Sequence, residues 1–173
     1  MMYCSKWSDM VNPEVENSVQ KLLERAETEG KMGERCSFNQ LNDLNKVFKN
    51  KLPEWLIQFY ISTPICGLEI ATKYSDSKDD EDYLDMEFLN VKGIISEATE
   101  AYPGISLIAK GYLCIGHDAL GTGDQIYISI DEGENPPVYQ IYHDVSDHPD
   151  EILSAKRIIA NSLSELFNNA KVT

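Results

Sequence analysis

Long apolar runs are missing from this chain. No window approaches the roughly 18 uninterrupted apolar residues a membrane helix needs, and the start, MMYCSKWSDMVNPE, lacks the apolar core of a signal peptide. A cytoplasmic protein with no membrane contact is the expectation. Cysteine is sparse: Cys4, Cys36, Cys66 and Cys114 include no CxxC pair and no nearby histidine that would complete a zinc ligand set. Free thiols, packed as small hydrophobes, are the expected reading. Phosphate-binding and nucleophile signatures are absent as well. The glycines of GHDALGTGDQ are followed by neither G-K-[ST] nor a helical pattern, and no G-x-S-x-G occurs. No catalytic residue, no cofactor and no metal is therefore expected.

Positive charge is the next shortage. Lys and Arg number 15 against 29 Asp and Glu, a formal net charge of −14. Residues 1–51 hold eight of each sign, so residues 52–173 carry seven basic against twenty-one acidic side chains and account for all of it. Asp118 to Glu151 contains nine acids and no Lys or Arg, and SDSKDDEDYLD, residues 75–85, reads as a second acidic stretch in a solvated loop. Direct nucleic-acid binding needs phosphate-neutralising cations, so this charge argues against it and suits a basic protein partner. A purely solubilising role accounts for the composition equally well. The candidate partner-binding residues are Asp76, Asp79, Asp80, Glu81 and Asp82 in the first stretch, and Asp118, Asp124, Asp131, Glu132 and Glu134 in the second.

The elements that are present divide the chain. Asn12-Pro13 is a helix start, and Val15, Val19, Leu22, Leu23 and Ala26 recur at helical spacing until Gly30. Ser37 and Gln40 make a capping box before a second stripe of Phe38, Leu41, Leu44 and Phe48. Pro53 opens a third helix whose Trp55, Leu56, Phe59 and Tyr60 should anchor the core. From Leu68 the period changes to two: Leu68, Ile70 and Thr72 share one face, then Leu84, Met86 and Phe88. VKGIISEATEAY returns to helix and ends at Pro103-Gly104. YLCIG, QIYISID and PVYQIYHD follow as strands joined by hairpins in HDALGTGD and DEGENPP, and Pro149 opens one long helix through Asn168 carrying Ile152, Ile159, Leu163 and Leu166. This order reads as one α+β domain in two layers: a central twisted, mostly antiparallel sheet with N-terminal helices and a C-terminal helix packed on it.

Two dipeptides, His117-Asp118 and His143-Asp144, invite comparison with metal-dependent phosphohydrolases. Neighbours on a regular strand point to opposite faces, so the pairs do not assemble a ligand set; each Asp is expected to satisfy turn amides and each His to pack at a strand end.

Four segments in order carry a family resemblance: LPEWLIQFY, YLCIGHDALGTGDQIYISID, PVYQIYHD and IANSLSELF. Together they resemble the SUKH superfamily over residues 38–168, with residues 1–36 as an N-terminal helical extension. One departure is the turn after the proline-led helix, STPICG here in place of the usual Asn-Gly or Gly-Gly. The resemblance implies a compact α+β fold without catalytic residues. In bacterial members it implies an immunity protein that neutralises a cognate toxin, often a nuclease. The alternative it offers is a regulator or scaffold in cell-wall synthesis. Neither the partner's identity nor the oligomeric state is legible.

Overall fold

Asn12 opens the first helix as its spacing predicts: its side chain accepts from the amides of Glu14 (2.9 Å) and Val15 (3.3 Å), and Pro13 takes the first helical position of α1, Pro13–Thr28. The computed structural model describes residues 10–173, so Cys4 and the opening segment lie outside the described residues. The Ser37–Gln40 capping box forms with both of its bonds and starts α2, Phe38–Val47. Helix α3, Glu54–Ser62, buries Trp55, Leu56, Phe59 and Tyr60.

The sheet takes up the middle of the chain. β1 (Glu69–Lys73) and β2 (Tyr83–Phe88) form a hairpin across the acidic loop, and helices α4 (Val91–Glu100) and α5 (Gly104–Leu107) then lead to β3 (Tyr112–Asp118), β4 (Gln125–Ser129) and β5 (Val138–Ile141). Alternation sorts the side chains. Leu113, Ile115, Ile126 and Ile128 join the main core, while Cys114 and Tyr127 between them face the other way, into a smaller cluster with Leu107, Tyr139, Ile141 and Ile152. The expected two layers are therefore three, because α5 and the helix after β5 cover the reverse face.

The C-terminal helix is the main departure from the sequence pattern. The segment opened by Pro149 makes only a short helix, α6 (Pro149–Ser154), then a strand, β6 (Arg157–Ala160), a second helix, α7 (Leu163–Asn169), and a terminal strand, β7 (Lys171–Val172). Ile152, Ile159, Leu163 and Leu166 lie at helical spacing but sit on three different elements. The β-branched pair Ile158-Ile159 fits a place beside β5, and Ser162 restarts the helix by accepting from the amide of Glu165 (3.1 Å). The finished sheet is antiparallel in the order β6-β5-β4-β3-β2-β1-β7.

Helix α1 packs on α7, and Arg25 near its end donates to the carbonyls of Phe167 (3.1 Å) and Ala170 (3.2 Å), capping the C-terminus of α7. Phe167 is fully buried and stacks on Phe59 of α3 at 6.0 Å, with Phe88 of β2 on its other flank at 6.0 Å. Phe38 does not join this core: it is 63% exposed. As the first residue of α2 it points back past the helix end, beside Ile57 and Ile61 at the rim of a shallow apolar depression.

Trp55→Ala is expected to destabilise the protein by roughly 3–5 kcal/mol, the usual cost of emptying a buried aromatic site. Phe38→Ala should stay within about 0.5 kcal/mol, as at ordinary surface positions. Urea unfolding of the two variants measures both; equal losses would contradict this packing.

Candidate functional site

In an antiparallel meander successive turns alternate between the two ends of the sheet. The β1–β2 loop, the β3–β4 hairpin and the segment after β5 therefore share one end. Three contacts draw them together: Ala119 donates to the Asp85 carbonyl (2.8 Å), Gln140 Nε2 to the Asp124 carbonyl (3.2 Å), and Tyr74 Oη to Gln140 Oε1 (2.6 Å). The β4–β5 hairpin lies at the opposite end, where Asn135 donates to Glu14 Oε2 (3.2 Å) and Ser164 Oγ (2.9 Å). The ten candidate acids are thus split. Asp76, Asp79, Asp80, Glu81, Asp82, Asp118 and Asp124 gather at one end, and Asp131, Glu132 and Glu134 stand at the other.

Most of the first group is already engaged. The Arg157 guanidinium reaches across from β6 to Asp82 Oδ2 (2.8 Å) and Asp76 Oδ1 (3.2 Å) while lying 3.6 Å above the Tyr74 ring. Lys73 holds Asp80 at 2.6 Å. These hydrogen-bonded cations keep the Asp80 and Asp82 carboxyls below their ordinary titration range, Asp80 through Lys73 and Asp82 through Arg157 and then Ser77. Asp118 is only 4% exposed and belongs to its turn, accepting from the Leu120 amide (2.9 Å) and the Thr122 hydroxyl. Gly121 and Gly123 supply the positive φ values, 73° and 85°, that this hairpin requires. Asp118 is therefore internal to the fold and offers a partner no free carboxylate.

Asp79 and Glu81 remain at the loop's surface, and Asp144 is exposed in the segment after β5 at the same end of the sheet; among the described residues none of the three has an ion pair. The same end exposes apolar side chains that the charge pattern did not single out: Leu120 at the hairpin tip is 76% exposed, Val145 43% and Tyr83 40%. The signal for Leu120 was present, an apolar residue between the turn-forming Asp118 and Gly121. At the far end Glu132 accepts from Tyr139 Oη (3.1 Å), and Asp131 and Glu134 are exposed.

The two His-Asp pairs do not converge. His117 faces Glu87 across β2 and β3 at 3.5 Å, whereas His143 Nδ1 meets Asp124 Oδ1 at 2.8 Å. The objection that His143 and Asp144 must point apart fails here, because β5 ends at Ile141 and both residues lie beyond it. Asp124, His143 and Asp144 bring one ligand atom each within 4.8 Å of the others, a set with the composition of a divalent cation site. Its imidazole Nδ1 is already engaged by Asp124, and this contact favours the charged ring.

The His143 pKa is raised, first by its bond to Asp124; desolvation opposes the shift, and the nearby Asp124 and Asp144 charges add to the increase. A raised folded-state pKa stabilises the fold at pH below the ordinary imidazole value, and the contribution is lost as pH rises through the folded value. His143→Gln should therefore destabilise the hairpin end at pH 5 and leave stability unchanged at pH 9. Urea midpoints at the two pH values, with an NMR titration of the ring, measure this; a larger loss at pH 9 would reverse the assignment.

Comparison with curated proteins and with solved structures finds no match. A family model, however, matches residues 35–169, nearly the span over which the sequence segments resemble SUKH proteins. That match takes in every strand but the terminal one and every helix but α1, so the chain belongs to the SMI1 / KNR4 family (SUKH-1).

Proposed function

We propose that the protein is a non-enzymatic binding module of the immunity type, which holds a basic protein, a cognate toxin, against the acidic end of its sheet. The observation that carries this reading is the composition of that end. Asp79, Glu81 and Asp144 form no ion pair among the described residues, and the same end of the sheet exposes Leu120 and Val145. Negative charge and exposed apolar side chains at one end of a sheet suit a protein interface: the charge steers the encounter and the apolar side chains supply contact area. A purely solubilising role for the acid would not require large apolar side chains at the same place. Tight turns on a pinned sheet present these side chains without much ordering cost on binding. The acidic partner surface fits a nuclease toxin, whose phosphate-binding site is commonly basic, and family membership is consistent with the immunity role.

The test uses the protein encoded beside this one as the binding partner, followed by interferometry at low and at physiological ionic strength. The triple variant D79K/E81K/D144K should associate at least about tenfold more slowly at low salt and show a flatter salt dependence, the behaviour of steering charges. Its thermal midpoint should barely move, since none of the three is paired. D131K/E132K, at the opposite end, should associate like the parent. An effect confined to the second variant would move the interface to the β4–β5 hairpin, and no effect from either would make the acid a solubility feature.

A further inference from the structure

Cys36 and Cys66 are separated by 30 positions, yet their sulfur atoms are 3.4 Å apart. The backbone holds them there. Glu34 and Cys66 form an isolated antiparallel bridge, with N–H to carbonyl bonds of 2.8 Å and 3.1 Å, and the Cys36 amide donates to the Tyr60 carbonyl at 3.0 Å. Cys36 immediately precedes the N-cap of α2, and Cys66 lies in the STPICG turn where the chain departs from its family's usual pattern. Both are free thiols, 7% and 4% exposed. Cys114 is free and buried too, but it donates to the Gly116 carbonyl at 3.2 Å and sits in the reverse-face cluster.

The pair is electrostatically uneven. The hydrogen bond from the Cys66 thiol lowers the Cys36 pKa; burial opposes the shift, and the backbone N–H of Val91 at the start of α4 adds to it. The Cys66 pKa is pushed far up, first by that same bond and then by burial. One sulfur is therefore suited to attack and its neighbour to follow with its proton. Access comes through the connection between α1 and α2. Glu34, Arg35 and Ser37 are exposed, and besides the bridge this stretch is held by few bonds, among them Arg35 Nε to the Ser62 carbonyl at 3.0 Å. A small local opening admits an oxidant little larger than water.

We propose that Cys36 and Cys66 form a peroxide-responsive dithiol, with Cys36 the attacking and Cys66 the resolving thiol. The Cys36 thiolate displaces hydroxide from hydrogen peroxide and becomes a sulfenic acid, the hydroxide taking up a proton to leave as water. Cys66, giving up its proton, attacks the Cys36 sulfur and expels a second water. Two thiols are oxidised to one disulfide as one peroxide is reduced to two waters. The new bond closes a loop through α2 and α3 and ties the α1–α2 connection to the entry of the sheet. A dithiol reductant reverses it.

The whole protein is treated with hydrogen peroxide, its remaining thiols are alkylated, and it is digested without reduction. The expected product has lost the mass of two hydrogen atoms, yields a Cys36–Cys66 cross-linked peptide and melts about 5–15 °C higher, the gain expected for a loop of this length. Dithiothreitol should restore the starting midpoint. In Cys66→Ser, dimedone should label Cys36. Should that variant fail to fold, the peptide map of the parent decides alone. Recovery of both thiols after peroxide treatment, or a disulfide that engages Cys4 or Cys114 instead, would overturn the proposal.

Discussion

The Arg157 guanidinium over the Tyr74 ring, 3.6 Å from its centre, is the contact on which the acidic end of the molecule depends. It joins β6, at one margin of the sheet, to the exit of β1 near the other margin. Around it the Ser75 amide donates to the Ile159 carbonyl at 2.8 Å and Tyr74 bonds Gln140. A flat sheet would hold these elements several strands apart; here it curls until they meet. The loop between β1 and β2 would otherwise be a run of mutually repelling carboxylates. Arg157 fixes it by pairing with Asp76 and Asp82 while the Tyr74 ring beneath it adds a cation–π contact.

That arrangement decides which charges are available. Internal pairing uses Asp76, Asp80 and Asp82, the hairpin uses Asp118, and His143 uses Asp124. What is left for another protein is smaller and more specific than the composition suggests: three acids without an ion pair among the described residues, at the end of the sheet that also exposes Leu120 and Val145. The same economy separates the cysteines. Cys114 is walled into the reverse face, while Cys36 and Cys66 share a contact at the edge of the helical layer.

Much of the architecture was legible because its signals are local. Asn12-Pro13, the Ser37–Gln40 box and the glycines of the β3–β4 hairpin each act within a few residues and formed as read. The C-terminal region misled because Ile152, Ile159, Leu163 and Leu166 fit a helical period while belonging to separate elements. The S-x-x-E pattern at Ser162 to Glu165 was the local sign of a second helix start. Phe38 was misplaced because periodicity gives a face but not where the helix leaves the core. The candidate site was legible only as composition. Asp76 meets Arg157 across 81 positions, and no spacing in the chain announces that pair. Nor could the turns be assigned to ends of the sheet before the strand order was known, so Asp118 and Asp124 share one acidic stretch of sequence with Asp131, Glu132 and Glu134, which the strand order places at the opposite end.

Amide hydrogen exchange on the complex with the neighbouring gene's product tests the central claim most directly. Binding should slow exchange in the β1–β2 loop around Asp79 and Glu81, at the hairpin tip around Leu120, and in the segment around Asp144 and Val145, with the β4–β5 hairpin unchanged. Protection confined to α1 and α2 or to residues 131–135, with the acidic end exchanging as in the free protein, would contradict it.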